Sequence, residues 1–526
     1  MKDRSSVIRF SADKFGSPDP LWWPGYFWLW NGPLTPEVLL RQLRDMHAHD
    51  ARSVCVIPMP QQFRPESTNN QMDLEYLSSE FFQRVQLVVK EANRLGMNYW
   101  LYDEGGWPSG EACGQMLDQR PDLVSLAMQS DEAGNWRLAE MPGLSDLLSQ
   151  ETTRTFLTLT HERYRKAVGE YFGTTIRFVF TDEPAVRPLI LGRQIPWTKG
   201  LEEEFARHFG YRIEEYLEIF EKLPETELTQ EEMRVRVDFF DWWSERFRGT
   251  YFEPLKKWCR EHRLLSGGHL GGEDETLGAV KHGFGHVLRI LRGMDLPGVD
   301  VIWRQIFPGK LDQNFPKYAA TAAHQNGTPF AFSESFCVYG NGLTIEQMKW
   351  LVNYQYVRGI NLLVIGCYPL STREHLMPGE RPHFGPVNPL WDYIPEFHRY
   401  VARLGYALSC GEPAVETALY YPVRDIWAKG RADEAVTGYE MLIQTLLESQ
   451  CDFDLIDDDV LSDPNTRFEN GMCCVGPMCY RRVVIGPCQW LQSQTADRLV
   501  EFVRSGGELL CLDQLPGVQP PAGSKP

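Results

Sequence analysis

The sequence predicts a (β/α)8 TIM barrel followed by a small parallel α/β domain. Eight short, almost continuously apolar segments alternate with longer amphipathic segments along the first 410 residues. Strands that are buried on both faces have this composition, as in a parallel sheet. In addition, polar residues stand at the ends of several apolar segments, which is where such barrels carry their active sites. A doubly wound sheet is the alternative arrangement of the same elements.

The apolar segments and their neighbours fix the expected order of strands and helices. The predicted strands are 24–32, 51–60, 97–105, 175–184, 264–270, 298–303, 329–336 and 360–368. Segment 35–50 begins with Thr35 and Pro36, and segment 78–96 ends at Gly96, which are typical helix start and stop signals. Further helices are predicted at 153–173, 343–359 and 395–411.

The chain divides into two predicted domains. Residues 1–410 are expected to form the barrel, with a long insertion around 185–263 after the fourth strand. This insertion is rich in charged and aromatic residues, and we expect its helices to form a wall of the site. In residues 411–526 strands and helices alternate again, which predicts a small parallel α/β domain.

Charge and composition exclude several classes of partner. The 526 residues include 53 Lys+Arg and 71 Asp+Glu, a net charge of −18 that disfavours binding to nucleic acid. No apolar stretch is long enough to span a membrane, and the N-terminus lacks a signal sequence, so we predict a cytoplasmic protein. The 12 cysteines are expected to be buried free thiols. Cys473, Cys474, Cys479 and Cys488 lie close in sequence but lack the paired spacing of a zinc motif.

Carboxylates interrupt two of the apolar segments. Asp182 and Glu183 end the fourth predicted strand, and Glu334 ends the seventh. Glycosidic bond cleavage requires two carboxyl groups, one to protonate the leaving oxygen and one to act as nucleophile or as base for water. Glu183 and Glu334 are therefore the candidate catalytic pair. The alternative is that each forms a salt bridge at the rim of the barrel.

Further polar and aromatic residues are placed to bind a sugar. The loop after the third strand reads Tyr-Asp-Glu-Gly-Gly-Trp-Pro-Ser-Gly, and its glycines allow the backbone to approach a ligand. A tryptophan there could stack on a sugar face. The candidate substrate-binding residues are Asn31, Asp103, Glu104, Trp107, Asp182, His269 and Tyr339. Core packing or a solvated loop is the alternative for each.

Four stretches together resemble a known family. They are FWLWNGPLTPEVLLRQLRDM, YLSSEFFQRVQLVVKEANRLGMNYWLYDEGGWPSG, FTDEP and SESFCVYGNGLTIEQMKWLVNYQYVRGIN. In this order they resemble the catalytic barrel of glycoside hydrolase family 106, the α-L-rhamnosidases, over roughly residues 20–410. The resemblance implies an inverting hydrolase with Glu183 as general acid and Glu334 as general base.

The resemblance also implies that Ca2+ assists in some members; the sequence does not assign its ligands, and Asp103 and Glu104 are candidates. The C-terminal segment resembles the flavodoxin-like module that follows the barrel in some β-galactosidases. The expected partner is a small glycoside or oligosaccharide. A homo-oligomer is also anticipated, with dimer and trimer equally open.

Three alternatives to this function remain. The first is a retaining β-glycosidase, such as a β-galactosidase, in which Glu334 would be the nucleophile. The second is a sugar-binding barrel without turnover, which the retention of both carboxylates disfavours. The third is a metal-dependent isomerase or lyase, which would place several histidines at strand ends, whereas His269 is the one histidine that stands convincingly at such a position.

Overall fold

Eight parallel strands close into a barrel in the computed structural model, which describes residues 7–187, 193–222, 227–276, 278–310, 313–372, 380–429, 432–512 and 515–519. The strands are β1 Gly25–Trp30, β2 Ser53–Pro58, β3 Asn98–Tyr102, β4 Ile176–Asp182, β5 Leu265–His269, β6 Leu296–Val301, β7 Phe332–Ser335 and β8 Leu362–Pro369. Each strand pairs with the next along the chain, and β1 closes the barrel against β8. The eight predicted strands are therefore confirmed, and the doubly wound alternative is wrong.

Helices follow the strands and cover the outside of the barrel. They are α1 Pro36–Ala48, α2 Ser79–Leu95, α3 His161–Val168, α4 Glu253–Glu261, α5 Val287–Arg292, α6 Pro316–Asn326, α7 Ile345–Tyr356 and α8 Ile394–Leu408. The two ends of α2 lie at the start and stop residues predicted from the sequence. The Ser78 hydroxyl accepts a hydrogen bond from the first turn of α2, and Gly96 ends that helix in the left-handed conformation.

Aromatic side chains fill the barrel interior. Phe27 of β1 packs edge-on against Phe180 of β4, with ring centroids 5.2 Å apart. Trp100 of β3 lies 4.6 Å from Phe178 of β4, again between ring centroids. These large side chains point inward from strands that are buried on both faces, so the barrel is a packed core, and ligands are confined to its ends.

The segments outside the barrel strands are only partly as expected. The 185–263 insertion contains the predicted helices, at Leu201–Phe209, Gln230–Phe247 and Glu253–Glu261. It also contributes the strand Gln194–Trp197 to a three-stranded antiparallel sheet. The other two strands, Val124–Ser130 and Trp136–Ser145, follow the third barrel strand and were not anticipated. Their residues are mostly half-buried or exposed, so they lack the continuous apolar pattern of the barrel strands.

A second parallel sheet follows the barrel. Its strands are β9 Thr417–Tyr420, β10 Phe453–Ile456, β11 Arg482–Ile485 and β12 Glu508–Cys511, arranged in the order β10-β9-β11-β12. This order is that of the first four strands of a flavodoxin-like sheet. The predicted fold class is thereby confirmed, whereas the division after residue 410 stays a prediction.

Ion pairs join the second sheet to the barrel helices. The guanidinium of Arg289 on α5 lies 2.6 Å from a carboxylate oxygen of Asp459. The ammonium of Lys317 on α6 lies 2.7 Å from a carboxylate oxygen of Asp452, and the Lys317 side chain is only 1 % exposed. Because both cations belong to barrel helices and both carboxylates lie next to β10, these ion pairs, whose cations are buried, join the two units.

One pair of cysteines differs from the expectation of free thiols. Cys474 and Cys479 form a disulfide across a β-hairpin, in which they face each other in register. Cys473 and Cys488 are free, and within the described ranges the four cysteines do not form a group of metal-ligand atoms. Among the described residues, no helix has the length and apolar character needed to cross a membrane.

Candidate active site

Four consecutive strands each end in an ionisable residue at the same end of the barrel. Asp182 of β4 is in register with His269 of β5, and Asp300 of β6 is in register with Glu334 of β7. The carboxyl ends of parallel strands meet on one face of a barrel, so these side chains converge. Two of the substrate-binding candidates, Asp182 and His269, thus lie beside the catalytic candidate Glu334.

His269 is at the centre of this cluster. Its Nε2 lies 2.9 Å from Glu334 Oε2 and 3.3 Å from Asp182 Oδ1. Burial alone would lower the pKa of this imidazole, but the charges of Asp300, Asp182 and Glu334 outweigh it and raise the pKa well above its usual value. The raised pKa favours the imidazolium form of His269, in which Nε2–H can donate to Glu334.

Glu183 stands where the chain turns away from β4. Its backbone has a φ of +44°, in the left-handed region that few residues other than glycine adopt. Ligand atoms of Glu183, His269 and Asp300 lie within 4.8 Å of one another. A Cβ at Gly271 would come within 2.7 Å of Glu183 Oε1, so a glycine leaves the space that this carboxyl occupies. The two catalytic candidates therefore both border His269.

Asp182 is held from the side of β3. The Tyr102 hydroxyl donates to Asp182 Oδ2 over 2.5 Å. The Ser109 hydroxyl accepts from the backbone N–H of Asp182 and donates to Asp103 Oδ1 over 2.6 Å. Burial and the nearby carboxylates of Glu334 and Glu183 raise the pKa of Asp182, against the opposing charge of His269. Asp182 is thereby oriented by the β3 loop.

Glu104 has a role that differs from the predicted one. Its two carboxylate oxygens accept hydrogen bonds from the backbone N–H groups of Gly105, Gly110, Glu111, Ala112 and Cys113, at 2.5–3.1 Å. The side chain is 1 % exposed. Because five amides occupy both oxygens, the structure assigns Glu104 to holding the loop together and leaves no free oxygen lone pair directed at a sugar or at Ca2+.

Asn31 and Tyr339 also serve neighbouring loops. The amide of Asn31 makes reciprocal hydrogen bonds of 2.9 and 3.0 Å with the backbone of Ser371, beyond the end of β8. The Tyr339 hydroxyl donates to the carbonyl of Ile306 over 2.7 Å. Both side chains are buried, so they position loops around the site and do not present polar groups to solvent.

Trp107 lies at the rim and is only partly buried. Its ring centroid is 4.8 Å from that of Phe63, and the guanidinium of Arg64 lies 5.0 Å from it. A ring in this position retains an accessible portion, consistent with a platform for a sugar. Asp103, the neighbour of Glu104, is fully buried: its Oδ1 accepts from the Ser109 hydroxyl, and its Oδ2 lies 4.0 Å from His161 Nε2.

Comparisons with known proteins show the family to which the chain belongs. The model of a protein family described as alpha-L-rhamnosidase matches residues 139–521. The chain belongs to glycoside hydrolase family 106. A search of curated proteins finds no match.

Solved structures show the same fold. A rhamnosidase from Novosphingobium sp. PP1Y matches with a TM-score of 0.70 and 12 % identity, covering 96 % of this chain and 70 % of that one. β-Galactosidases from Halorubrum lacusprofundi and Bacillus circulans sp. alkalophilus match with TM-scores of 0.58 and 0.59, each at 13 % identity. Both cover 93 % of this chain, and they are covered over 72 % and 71 % of their own length. Membership of the family makes the protein a glycoside hydrolase.

Sequence reasoning missed Asp300 and Tyr102 of this cluster, and it gave Glu273 only as an assisting residue on a loop that could equally be solvated. Asp300 interrupts the apolar segment of β6 as Glu334 interrupts that of β7, so the same rule would have found it. Glu273 lies on the loop after β5, and burial raises its pKa to about 8. Tyr102 ends an apolar strand, and its hydroxyl gives no signal in sequence that separates it from a core tyrosine.

Buried carboxylate oxygens indicate where a cation would fit. Asp300 Oδ1 and Glu273 Oε2 have no hydrogen-bond partner among the described residues. Burial first, and also the charge of Glu273, raise the pKa of Asp300. Oxygen atoms are the ligands that Ca2+ prefers. Asp300 and Glu273 are therefore candidate ligands for such an ion beside Asp103, whose Oδ2 likewise has no hydrogen-bond partner among the described residues.

Proposed function

We propose that this family 106 chain is an inverting α-L-rhamnosidase-like hydrolase, with Glu183 as general acid and Glu334 as general base. The observation that carries the proposal is the convergence of both carboxyl groups on His269 at the C-terminal end of the barrel. Glycoside hydrolysis requires two carboxyl groups on either side of the scissile bond. The substrate class is a small glycoside or oligosaccharide.

Glu334 is suited to the role of base by its partner. The His269 imidazolium donates to one oxygen, Oε2, over 2.9 Å. This contact fixes the carboxylate and leaves Oε1 to accept a proton from the attacking water. His269 is a positioning residue in this scheme, because it acts through Glu334.

Glu183 is suited to the role of acid by its place at the strand end. It is more exposed than Asp182 and lies on the turn that leaves β4, next to Gly271. The proton of its carboxyl group would pass to the glycosidic oxygen as the bond to the anomeric carbon breaks. Asp182, held by Tyr102 and Ser109, keeps the turn in place.

When bound, a calcium ion would supply positive charge beside the buried carboxyl groups of Asp300 and Glu273. These two residues would hold it through the carboxylate oxygens that lack donors. Among the side chains of the chain itself, Trp107 would supply an aromatic surface for the sugar ring.

The retaining β-glycosidase remains the second candidate, because β-galactosidases share the fold over most of the chain. In that case Glu334 would attack the anomeric carbon itself and form a covalent intermediate. The anomer that is released first distinguishes the two mechanisms.

The deciding experiment assays purified protein on a panel of p-nitrophenyl glycosides, in calcium and in a chelator. We expect release from the α-L-rhamnoside, and a loss of kcat of about 100-fold or more in both Glu183→Gln and Glu334→Gln. Glu132→Gln, at an exposed position, is the matched control. Proton NMR of the first product should show inversion. Release from a different glycoside only, or retention of configuration, would overturn the corresponding part of the proposal.

A further inference from the structure

A cluster of two thiols and a carboxyl group lies beside the proposed active site. Cys337 follows β7, three residues after Glu334, and Cys367 lies on the adjacent strand β8. Glu380 belongs to the segment beyond β8. The ligand atoms of Cys337, Cys367 and Glu380 all lie within 4.8 Å of one another, and both cysteines are 2 % exposed. The hydrolytic mechanism uses none of the three.

The distance between the two sulfur atoms matches metal coordination better than a disulfide. Cys337 Sγ and Cys367 Sγ are 3.5 Å apart. Two thiolates on a tetrahedral zinc ion, with Zn–S bonds of about 2.3 Å, have sulfurs about 3.8 Å apart. A disulfide bond measures about 2.05 Å, so forming one would require the sulfurs to approach by roughly 1.5 Å. An ion would require a movement of only a few tenths of an ångström.

The backbone holds this arrangement from three sides. A Cβ at Gly366 would lie 1.8 Å from Cys337 Sγ, so the sulfur occupies space that only a glycine leaves open. The N–H of Cys367 donates to the carbonyl of Pro382 over 3.3 Å, and the N–H of Gly340 donates to the carbonyl of Arg381 over 2.9 Å. Hydrogen bonds thus hold the segment that carries Glu380 against strand β8 at Cys367 and against the loop that carries Cys337.

Ionisation of Cys337, Cys367 and Glu380 would place negative charges close together. Burial raises the pKa of Glu380 to about 7, and the charge of Glu334 adds to the effect. The contact with Cys367 and burial raise the pKa of Cys337. Groups that are costly to ionise alone become stable anions when a cation binds to them and displaces their protons.

We propose that Cys337, Cys367 and Glu380 bind a thiophilic divalent cation such as Zn2+, with water in the fourth position. Thiolate sulfur selects soft cations, whereas the carboxylate oxygens of Asp300 and Glu273 suit hard ones, so the two sites differ in chemistry. Binding releases the two thiol protons to solvent and changes no oxidation state. The site stands independently of the proposed hydrolysis.

Cadmium is the probe, because Cd2+–thiolate bonds give a charge-transfer absorption in the ultraviolet. We expect the full-length reduced protein, freed of metal by a chelator, to bind one Cd2+ with this absorption. Cys337→Ser and Cys367→Ser should each weaken binding at least tenfold, and Zn2+ should displace Cd2+. Cys488→Ser, at a buried free cysteine outside the cluster, is the matched control and should bind as the unmodified protein does.

A second variant shows whether a loss of metal binding results from misfolding. Glu380→Gln keeps both thiols and should weaken binding while the far-ultraviolet circular dichroism stays unchanged. The proposal is overturned if the cysteine variants bind Cd2+ as tightly as the control. It is also overturned if thiol titration of the unfolded protein, before reduction, shows Cys337 and Cys367 joined in a disulfide.

Discussion

Replacing Glu104 by glutamine tests whether this residue organises the loop or binds substrate. Gln has the same shape, but one of its two terminal atoms is an NH2 group, which cannot accept. In the better orientation it keeps the three amides on Oε2 and loses those of Gly105 and Cys113. A hydrogen bond to a charged group contributes about 1.5–3 kcal/mol, so losing two costs about 3–6 kcal/mol of local stability.

Hydrogen exchange of the loop amides measures this cost directly. A loss of that size should accelerate exchange of the Gly105 and Cys113 amides by about two to four orders of magnitude, since about 1.4 kcal/mol corresponds to a factor of ten. Thermal unfolding should also shift downwards. Glu132→Gln, at an exposed position, is the control and should stay within about 0.5 kcal/mol. Unchanged exchange together with a raised KM would refute the reasoning and restore Glu104 as a substrate ligand.

Three further substitutions distinguish effects on the position of active-site groups from effects on the stability of the fold. Gly271→Ala should displace the Glu183 carboxyl, whose Oε1 is 2.7 Å from the added Cβ, and lower kcat with little change in Tm. Tyr102→Phe removes the hydrogen bond to Asp182 and should lower kcat about tenfold, as expected for loss of a charge-assisted bond. Glu273→Gln should stabilise the protein increasingly from about pH 4.5 to about pH 8 in thermal scans, because the folded state raises this pKa to about 8 and so disfavours the charged carboxylate.

Controls and contrary outcomes are specific to each change. Gly342→Ala adds a Cβ with nothing within 4 Å and should leave kcat unchanged, so an equal loss there would contradict the Gly271 argument. Tyr393→Phe, at a side chain 69 % exposed, is the control for the hydroxyl at position 102. For Glu273→Gln, a gain in stability that is the same at pH 4 and pH 8 would disprove the electrostatic cause.

The barrel was predictable because its strands are buried on both faces. Each such strand is a short apolar run, and a carboxylate at its end is conspicuous, as Glu334 is after Phe332. The hairpin of Val124–Ser130 and Trp136–Ser145 escaped prediction because its residues are mostly half-buried or exposed and alternate less distinctly. The local pattern of apolar residues indicates how deeply a segment is buried, and this signal is weakest where the segment is only partly buried.

The roles of site residues were less predictable than their positions. Asp103 and Glu104 stay predicted site residues, but the five amides that occupy Glu104 come from a loop whose path the sequence does not specify. Asn31 was expected to face substrate, yet its amide matches the backbone of Ser371, 340 residues away. Such pairings depend on tertiary contacts, and residue type alone is compatible with either role.

The ion pairs between α5, α6 and the second sheet bear on how this chain can be shortened or recombined. Lys317 is 1 % exposed, and Asp452 lies beyond residue 410. A fragment that ended at 410 would lose both carboxylates and would expose to water the faces of α5 and α6 that carry Arg289 and Lys317. The barrel is therefore not expected to fold well as a separate unit, and protein fusions or domain exchanges should include both units.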